Sequence, residues 1–172
     1  MVSVTPLPSP ADVRAALDMV PDPEMPPVSI GDLGMVVDVS VHGGQVDISL
    51  VPTFSGCPAT AVIREDVARA VAALDGVEEV TVRFVRDVVW EPGRITAEGR
   101  RKLSEYGIAP PGSGQRLPSG PGLLQIGGAP PGVRCPLCGS RDTVTDSPFG
   151  PTPCRSANYC RACRNPFEAI KP

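Results

Sequence analysis

Five of the six cysteines lie beyond residue 134, and four of them form two Cys-x-x-Cys pairs. The pairs are Cys135-Pro136-Leu137-Cys138 and Cys160-Arg161-Ala162-Cys163, with 21 residues between them. Two intervening residues let a tight turn aim both thiolates at one ion while backbone N–H groups face the sulfurs. Gly139 suits the positive φ such a turn needs; Arg164 holds the matching place in the second turn and is less favourable there. Four thiolates fit Zn²⁺ as a closed tetrahedral site, the first reading. They also suit iron, so an iron–sulfur cluster is the alternative, with disulfides or a switching site behind it. Cys154, six residues before Cys160, is surplus to a closed zinc site. It reads as an inert core thiol or as an extra ligand for metal exchange.

The sixth cysteine, Cys57, follows Thr53-Phe54-Ser55-Gly56 and precedes Pro58 at the expected start of a helix. Free N–H groups and the positive dipole end there stabilise a thiolate, so its pKa is expected below about 8.5. A thiolate at neutral pH is a nucleophile or a soft metal ligand. Thr53 offers a nearby hydroxyl, and Asp22 and Glu24 reach the same helix end if their loop folds over it. A buried thiol that only caps the helix is the competing reading, and position alone does not separate the two. A cluster built on Cys57 needs thiolates from a second subunit or a partner. A Cys–His nucleophile would have to use His42, a solvated hairpin residue and the only histidine, so no catalytic set is assigned.

The elements that must position these groups come from periodicity and turn chemistry. Residues 9–20 read as a helix capped by Ser9, with Pro10 in the first turn and Val13, Ala16, Leu17 and Val20 on one side. Asp22-Pro23-Glu24-Met25-Pro26-Pro27 reads as an extended loop, its prolines excluding helix and sheet. Met35, Val37, Val39 and Val41 alternate, as do Val46, Ile48 and Leu50; His42-Gly43-Gly44 between them marks a hairpin. Residues 58–74 form the strongest helix, with Pro58 in its first turn and a stripe of Ile63, Val67, Ala70, Val71 and Leu74. Val80, Val82 and Phe84 give a third strand, and 96–106 a short basic helix capped by Thr96. The expectation is an α+β domain over 1–106: a small mixed sheet of about three strands with flanking helices, in the order α-β-β-α-β-α.

Residues 107–134 contain 14 Gly or Pro in 28 and read as a linker. Residues 135–172 form a tail with few apolar side chains: Val144, Phe149, Tyr159, Phe167 and Ile170. Burial alone cannot hold it, so a metal-stapled ribbon is expected.

Charge narrows the function classes. Residues 1–133 carry 10 Lys/Arg against 16 Asp/Glu, whereas 134–172 carry six against three. The acidic first part argues against a nucleic-acid binder. No apolar run is long enough for a membrane helix and no secretory leader is evident, so a cytoplasmic, reducing setting is expected, in which clustered cysteines read as metal ligands. The edges of so small a sheet make a homodimer a further expectation.

Asp22-Pro23-Glu24, Asp32-Leu33-Gly34-Met35-Val36 and Thr53-Phe54-Ser55-Gly56-Cys57-Pro58 together resemble the SufT-like iron–sulfur assembly domain. With Glu98-Gly99-Arg100-Arg101-Lys102-Leu103 and Tyr106-Gly107-Ile108-Ala109-Pro110-Pro111 added, the chain looks like the D-subunit family of phenylacetyl-CoA epoxidase systems. The cysteine tail, including Phe149-Gly150 and Cys154, is similar as well; the Gly/Pro stretch 112–132 departs from the pattern as an insertion. The resemblance implies an accessory role in bacterial aerobic phenylacetate breakdown. A diiron oxygenase there epoxidises the ring, fed by a reductase with flavin and a ferredoxin-like [2Fe–2S] cluster. The resemblance further implies that such a chain helps mature a metal-bearing partner, with Cys57 holding or passing iron or a cluster. The alternatives are a structural zinc-stapled adaptor subunit without metal transfer and an electron carrier with iron in the tail.

Overall fold

The computed structural model describes residues 7–112 and 133–171. The chain divides into two compact units, Met1–Trp90 with Arg94–Gly99, and Glu91–Gly93 with Arg100–Pro172.

In the first unit, Ser9 caps α1 (Pro10–Leu17) through a reciprocal pair with Asp12. The Ser9 side chain, then its backbone N–H, hold the Asp12 carboxyl below the usual carboxylate range. Val13 and Leu17 point inward and are fully buried. The Pro-rich segment that follows differs from expectation: it is a tight antiparallel hairpin of β1 (Pro21–Asp22) and β2 (Met25–Ser29). Pro26 and Pro27 face out while Met25, Val28 and Ser29 are buried. A two-stranded ribbon has only edges, and an edge strand tolerates residues without an N–H.

The main sheet has the order β3-β4-β5, with β3 (Val36–His42) antiparallel to β4 (Gln45–Leu50) and β5 (Glu79–Phe84) parallel to β4. His42 pairs with Gln45 across a two-residue turn in which Gly43 has φ +61°. A parallel neighbour needs a long crossover, and α2 (Thr60–Ala72) supplies it. Its Ile63, Val67 and Val71 meet Val46, Ile48 and Leu50 of β4 in an aliphatic core. The three-strand mixed sheet and its order agree with the sequence reading. The start of α2 does not: Ala59 is the N-cap and makes no side-chain cap bond. Cys57 and Pro58 therefore stand in the turn before the helix.

The Asp32-Leu33-Gly34 motif is a backbone junction. Trp90 Nε1 donates to Leu33 O at 2.8 Å, and Arg94 donates to Gly34 O at 2.7 Å and to Val36 O at 3.0 Å. Gly34 has φ +65°, and a Cβ there would stand 2.2 Å from Arg94 O. A Cβ on Gly99 would stand 2.5 Å from Asp32 O. Both glycines are fixed by close backbone approach.

The second unit takes most of α3 (Ala97–Glu105), whose first turn is capped by Thr96 Oγ1 accepting from Gly99 N at 2.9 Å. Its sheet has the order β6-β9-β8-β7. β7 (Thr143–Ser147), β8 (Arg155–Cys160) and β9 (Asn165–Ile170) form an antiparallel ribbon. β6 (Ile108–Ala109) adds in parallel to β9, so the segment read as linker from residue 107 opens with a buried strand. Most of the remainder, 113–132, lies outside the described residues. The ribbon's apolar cluster is small: Ala109, Cys135, Cys160, Phe167 and Ala169, with Val133 and Cys163 against it. Phe149 is 78% exposed and contributes nothing to it. No helix among the described residues is long and apolar enough to cross a membrane.

Candidate metal centre

The ribbon's hydrogen bonding brings the two cysteine pairs together. The second pair spans the β8–β9 hairpin turn, where Cys160 is in register with Asn165. The first pair precedes β7, whose Thr143 lies opposite Cys160. In the first turn Gly139 N donates to Cys135 O at 2.9 Å and Gly139 takes φ +76°; in the second, Arg164 takes φ +59°. The left-handed residue expected at both places is present, and at Arg164 it carries a side chain. Asn165 Nδ2 steadies that turn by donating to Cys163 O at 2.9 Å.

The sulfurs of Cys135, Cys138, Cys160 and Cys163 all lie within 4.8 Å of one another. Cys135 Sγ stands 3.8 Å from Cys163 Sγ, and Cys138 Sγ 3.6 Å from Cys160 Sγ. An S–S bond needs about 2.05 Å, and all six cysteines are free thiols. A tetrahedral ion with bonds of about 2.3 Å to sulfur has ligand–ligand edges of about 3.8 Å. The four residues thus fit one ion, and the quartet is a metal-binding site. With no cation among them the thiols compete for protons. At Cys138 a backbone N–H from Ser140 lowers the pKa, but burial and the three other thiols together push it up to about 12. At Cys163 the bond from Asn165 leads, and its pKa falls to about 7. A cation replaces those protons, so binding releases them and weakens as pH falls.

The structure does not bring Cys154 to the quartet. It is buried at the opposite end of β8, six residues from Cys160, which is roughly 20 Å along an extended strand. Its Sγ lies 3.2 Å from Thr152 Oγ1. Beside it Arg155, buried, pairs with Glu168 at 2.6 Å and donates to Thr152 Oγ1 at 2.8 Å.

Cys57 is half-buried, its N–H bonded to Phe54 O at 3.0 Å and its carbonyl accepting from Thr60 Oγ1 at 3.3 Å. Asp22 and Glu24 approach closely enough for their charges to act on the thiol, as the folded-over loop required. The expected acidic thiol is corrected: its pKa is raised. Burial is the largest cause. N–H groups of Ala59 and Thr60 pull it down, as a helix start should, but Glu24 and Asp22 add to burial and the balance is upward. Thr53 is half-buried in the same loop. Asp22 is itself buried, and its Oδ1 accepts from Glu24 N at 2.9 Å and Met25 N at 3.0 Å, closing the β1–β2 turn. Among the described residues only the tail quartet puts three or more ligand atoms within one ion's reach, so Cys57, Asp22 and Glu24 do not close a site by themselves. His42 is exposed at its hairpin tip.

Sequence reasoning missed the junction residues Arg94 and Trp90. A tryptophan in a chain with 4% aromatics was the available signal.

Two families match the chain in succession: residues 10–82 match the iron–sulfur cluster assembly protein family and residues 121–171 the PaaD zinc beta ribbon domain. A solved structure from Bacillus anthracis, a domain of unknown function of the DUF59 class, superposes with TM-score 0.52 at 29% identity, covering 55% of this chain and 90% of that one. Fold and site thus define an iron–sulfur assembly domain joined to a four-cysteine ribbon. The Bacillus subtilis Fe-S protein maturation auxiliary factor YitW is 35% identical over 55% of this chain and 85% of its own length. Across nearly the whole length, 93% of this chain and 91% of the relative, the match is 38% identity to an Escherichia coli K12 protein whose name makes it the D component of 1,2-phenylacetyl-CoA epoxidase. The chain belongs to this family of epoxidase D components.

Proposed function

We propose that the chain is a non-catalytic accessory factor that helps mature a metal-bearing subunit of a phenylacetyl-CoA epoxidase system. Iron, or an iron–sulfur cluster, is its cargo. The carrying observation is the setting of Cys57. One half-buried thiol, with two carboxylates whose charges act on it, makes a poor resting nucleophile, because those charges disfavour a bare thiolate. A cation reverses that balance: it favours the thiolate and welcomes the same carboxylates. A soft sulfur with hard oxygens suits iron, and a set left open by the chain's own residues suits cargo that must leave. Thr53 lines the loop that presents the thiol.

The ribbon quartet would hold Zn²⁺ as a resident ion. Edges near 3.8 Å suit one tetrahedral ion; thiolates on separate irons of a cluster stand further apart. When bound, zinc supplies folding energy to a unit with little apolar core. The partners on this reading are other subunits of the system, the ferredoxin-like reductase or the diiron oxygenase subunit.

The test is co-expression of the reductase subunit with the wild-type chain or with Cys57→Ser. Cluster occupancy of the purified reductase is expected to fall several-fold with the variant. Equal occupancy, with the variant folded and zinc-loaded, would overturn the reading in favour of a structural adaptor.

A further inference from the structure

The four ribbon thiols are not equally sheltered. Cys135 and Cys160 are buried, at 1% and 0% exposure, Cys163 is half-buried, and Cys138 is exposed. Leu137 beside Cys138 is 57% exposed, so no side chain roofs that corner of the site. The sulfur facing Cys138 most closely in the other turn is Cys160, at 3.6 Å. The shortest thiol pairs thus run between the two turns, Cys138 with Cys160 and Cys135 with Cys163.

From this asymmetry we infer that Cys138 is an oxidation site through which hydrogen peroxide opens the ribbon, and that the disulfide formed joins Cys138 to Cys160 across the two turns. The inference rests on the zinc reading of the quartet. The Cys138 thiolate attacks one peroxide oxygen: an S–O bond forms, the O–O bond breaks and hydroxide leaves. Sulfur loses two electrons and becomes a sulfenic acid. The Cys160 thiolate then attacks Cys138 Sγ, forming S–S and breaking S–O as a second hydroxide leaves. Both hydroxides take up protons, so one peroxide becomes two waters and two thiolates become one disulfide. The sulfurs must close from 3.6 Å to about 2.05 Å, a shift that shortens one edge of the tetrahedron and leaves the ion two ligands short. Zinc then leaves, and the ribbon loses the support its small core cannot replace. Cys154 has no part in this: it is buried at the far end of β8.

The test uses the full chain purified with its metal, whose zinc content is measured first. Less than half an equivalent of zinc before oxidation would overturn the zinc reading itself. With zinc present, limiting peroxide is added beside a chromogenic chelator, and the products are digested and mapped by mass spectrometry. Expected are one zinc released per disulfide, a Cys138–Cys160 crosslink, and full reloading after dithiol reduction with added zinc. Cys154→Ser and Cys57→Ser are expected to release zinc at the wild-type rate. A crosslink within Cys135–Cys138, or peroxide consumed at Cys57 or Cys154 with zinc retained, would overturn the inference and leave the zinc reading standing.

Discussion

The two units of this chain solve the stability problem by different means. The first buries Leu17, Met25, Ile30, Leu33, Ile48, Leu50 and Ile63 completely and has no need of an ion. The second gathers five residues into its apolar cluster, and two of those, Cys135 and Cys160, are ligands. Its other buried groups are polar, Arg155 and Asn158 among them. Such groups confer register through hydrogen bonds but little net burial energy. One unit is held by hydrocarbon and the other by sulfur, and the chemistry follows: the cysteine of the apolar unit is free for cargo, whereas those of the ribbon are occupied.

Chelation gives the largest expected difference. Removing the ion costs the ribbon on the order of 10 kcal/mol. Strand signals from the ribbon should vanish by NMR while the first unit keeps its dispersion. Loss of both together would break the comparison. Next is Ile48→Ala, a fully buried β4 residue. It should lower the first unit's stability by about 2–5 kcal/mol in denaturant titrations, with zinc content unchanged. Gly34→Ala forces a Cβ to 2.2 Å from Arg94 O and should cost more than about 2 kcal/mol, whereas Gly43→Ala, at an open hairpin tip, should cost roughly 1 kcal/mol. Ser9→Ala removes the cap of α1 and should cost about 1 kcal/mol.

The smallest effect concerns pH. The raised thiol of Cys57 is protonated at neutral pH, so alkylation should be slow there and quicken as pH climbs beyond the ordinary cysteine range. Glu24→Gln removes one charge that raises it, shifting that profile to lower pH. Burial, the leading cause, stays in place, so the gain at pH 7 should be below about tenfold. No shift with Glu24→Gln would mean the carboxylate does not act on the thiol.

Much of this was legible in the residues. Periodicity located α1, the β3–β4 hairpin, α2 and β5, because each buries one face against the core and its alternation survives in the sequence. The quartet was legible from spacing, since two turns of fixed geometry need little context. Three features were not. The β1–β2 hairpin hid behind Pro26 and Pro27, because edge position is a tertiary fact. β6 hid at the start of a Gly/Pro-rich stretch, its two residues too short for any period. The direction of the Cys57 shift depended on a contest between helix-start N–H groups and burial beside two carboxylates, and burial has no local signature. The placement of Cys154 needed only the length of β8, once Cys160 closed it.

The division of labour between the two sulfur sites is tested most directly by ferrous titration of the zinc-loaded full chain under anaerobic conditions, with both metals counted after desalting. Expected is iron retained by the wild-type chain, lost in Cys57→Ser, with one zinc per chain in both. Iron uptake unchanged by Cys57→Ser, or iron gained only as zinc is displaced from the ribbon, would contradict it.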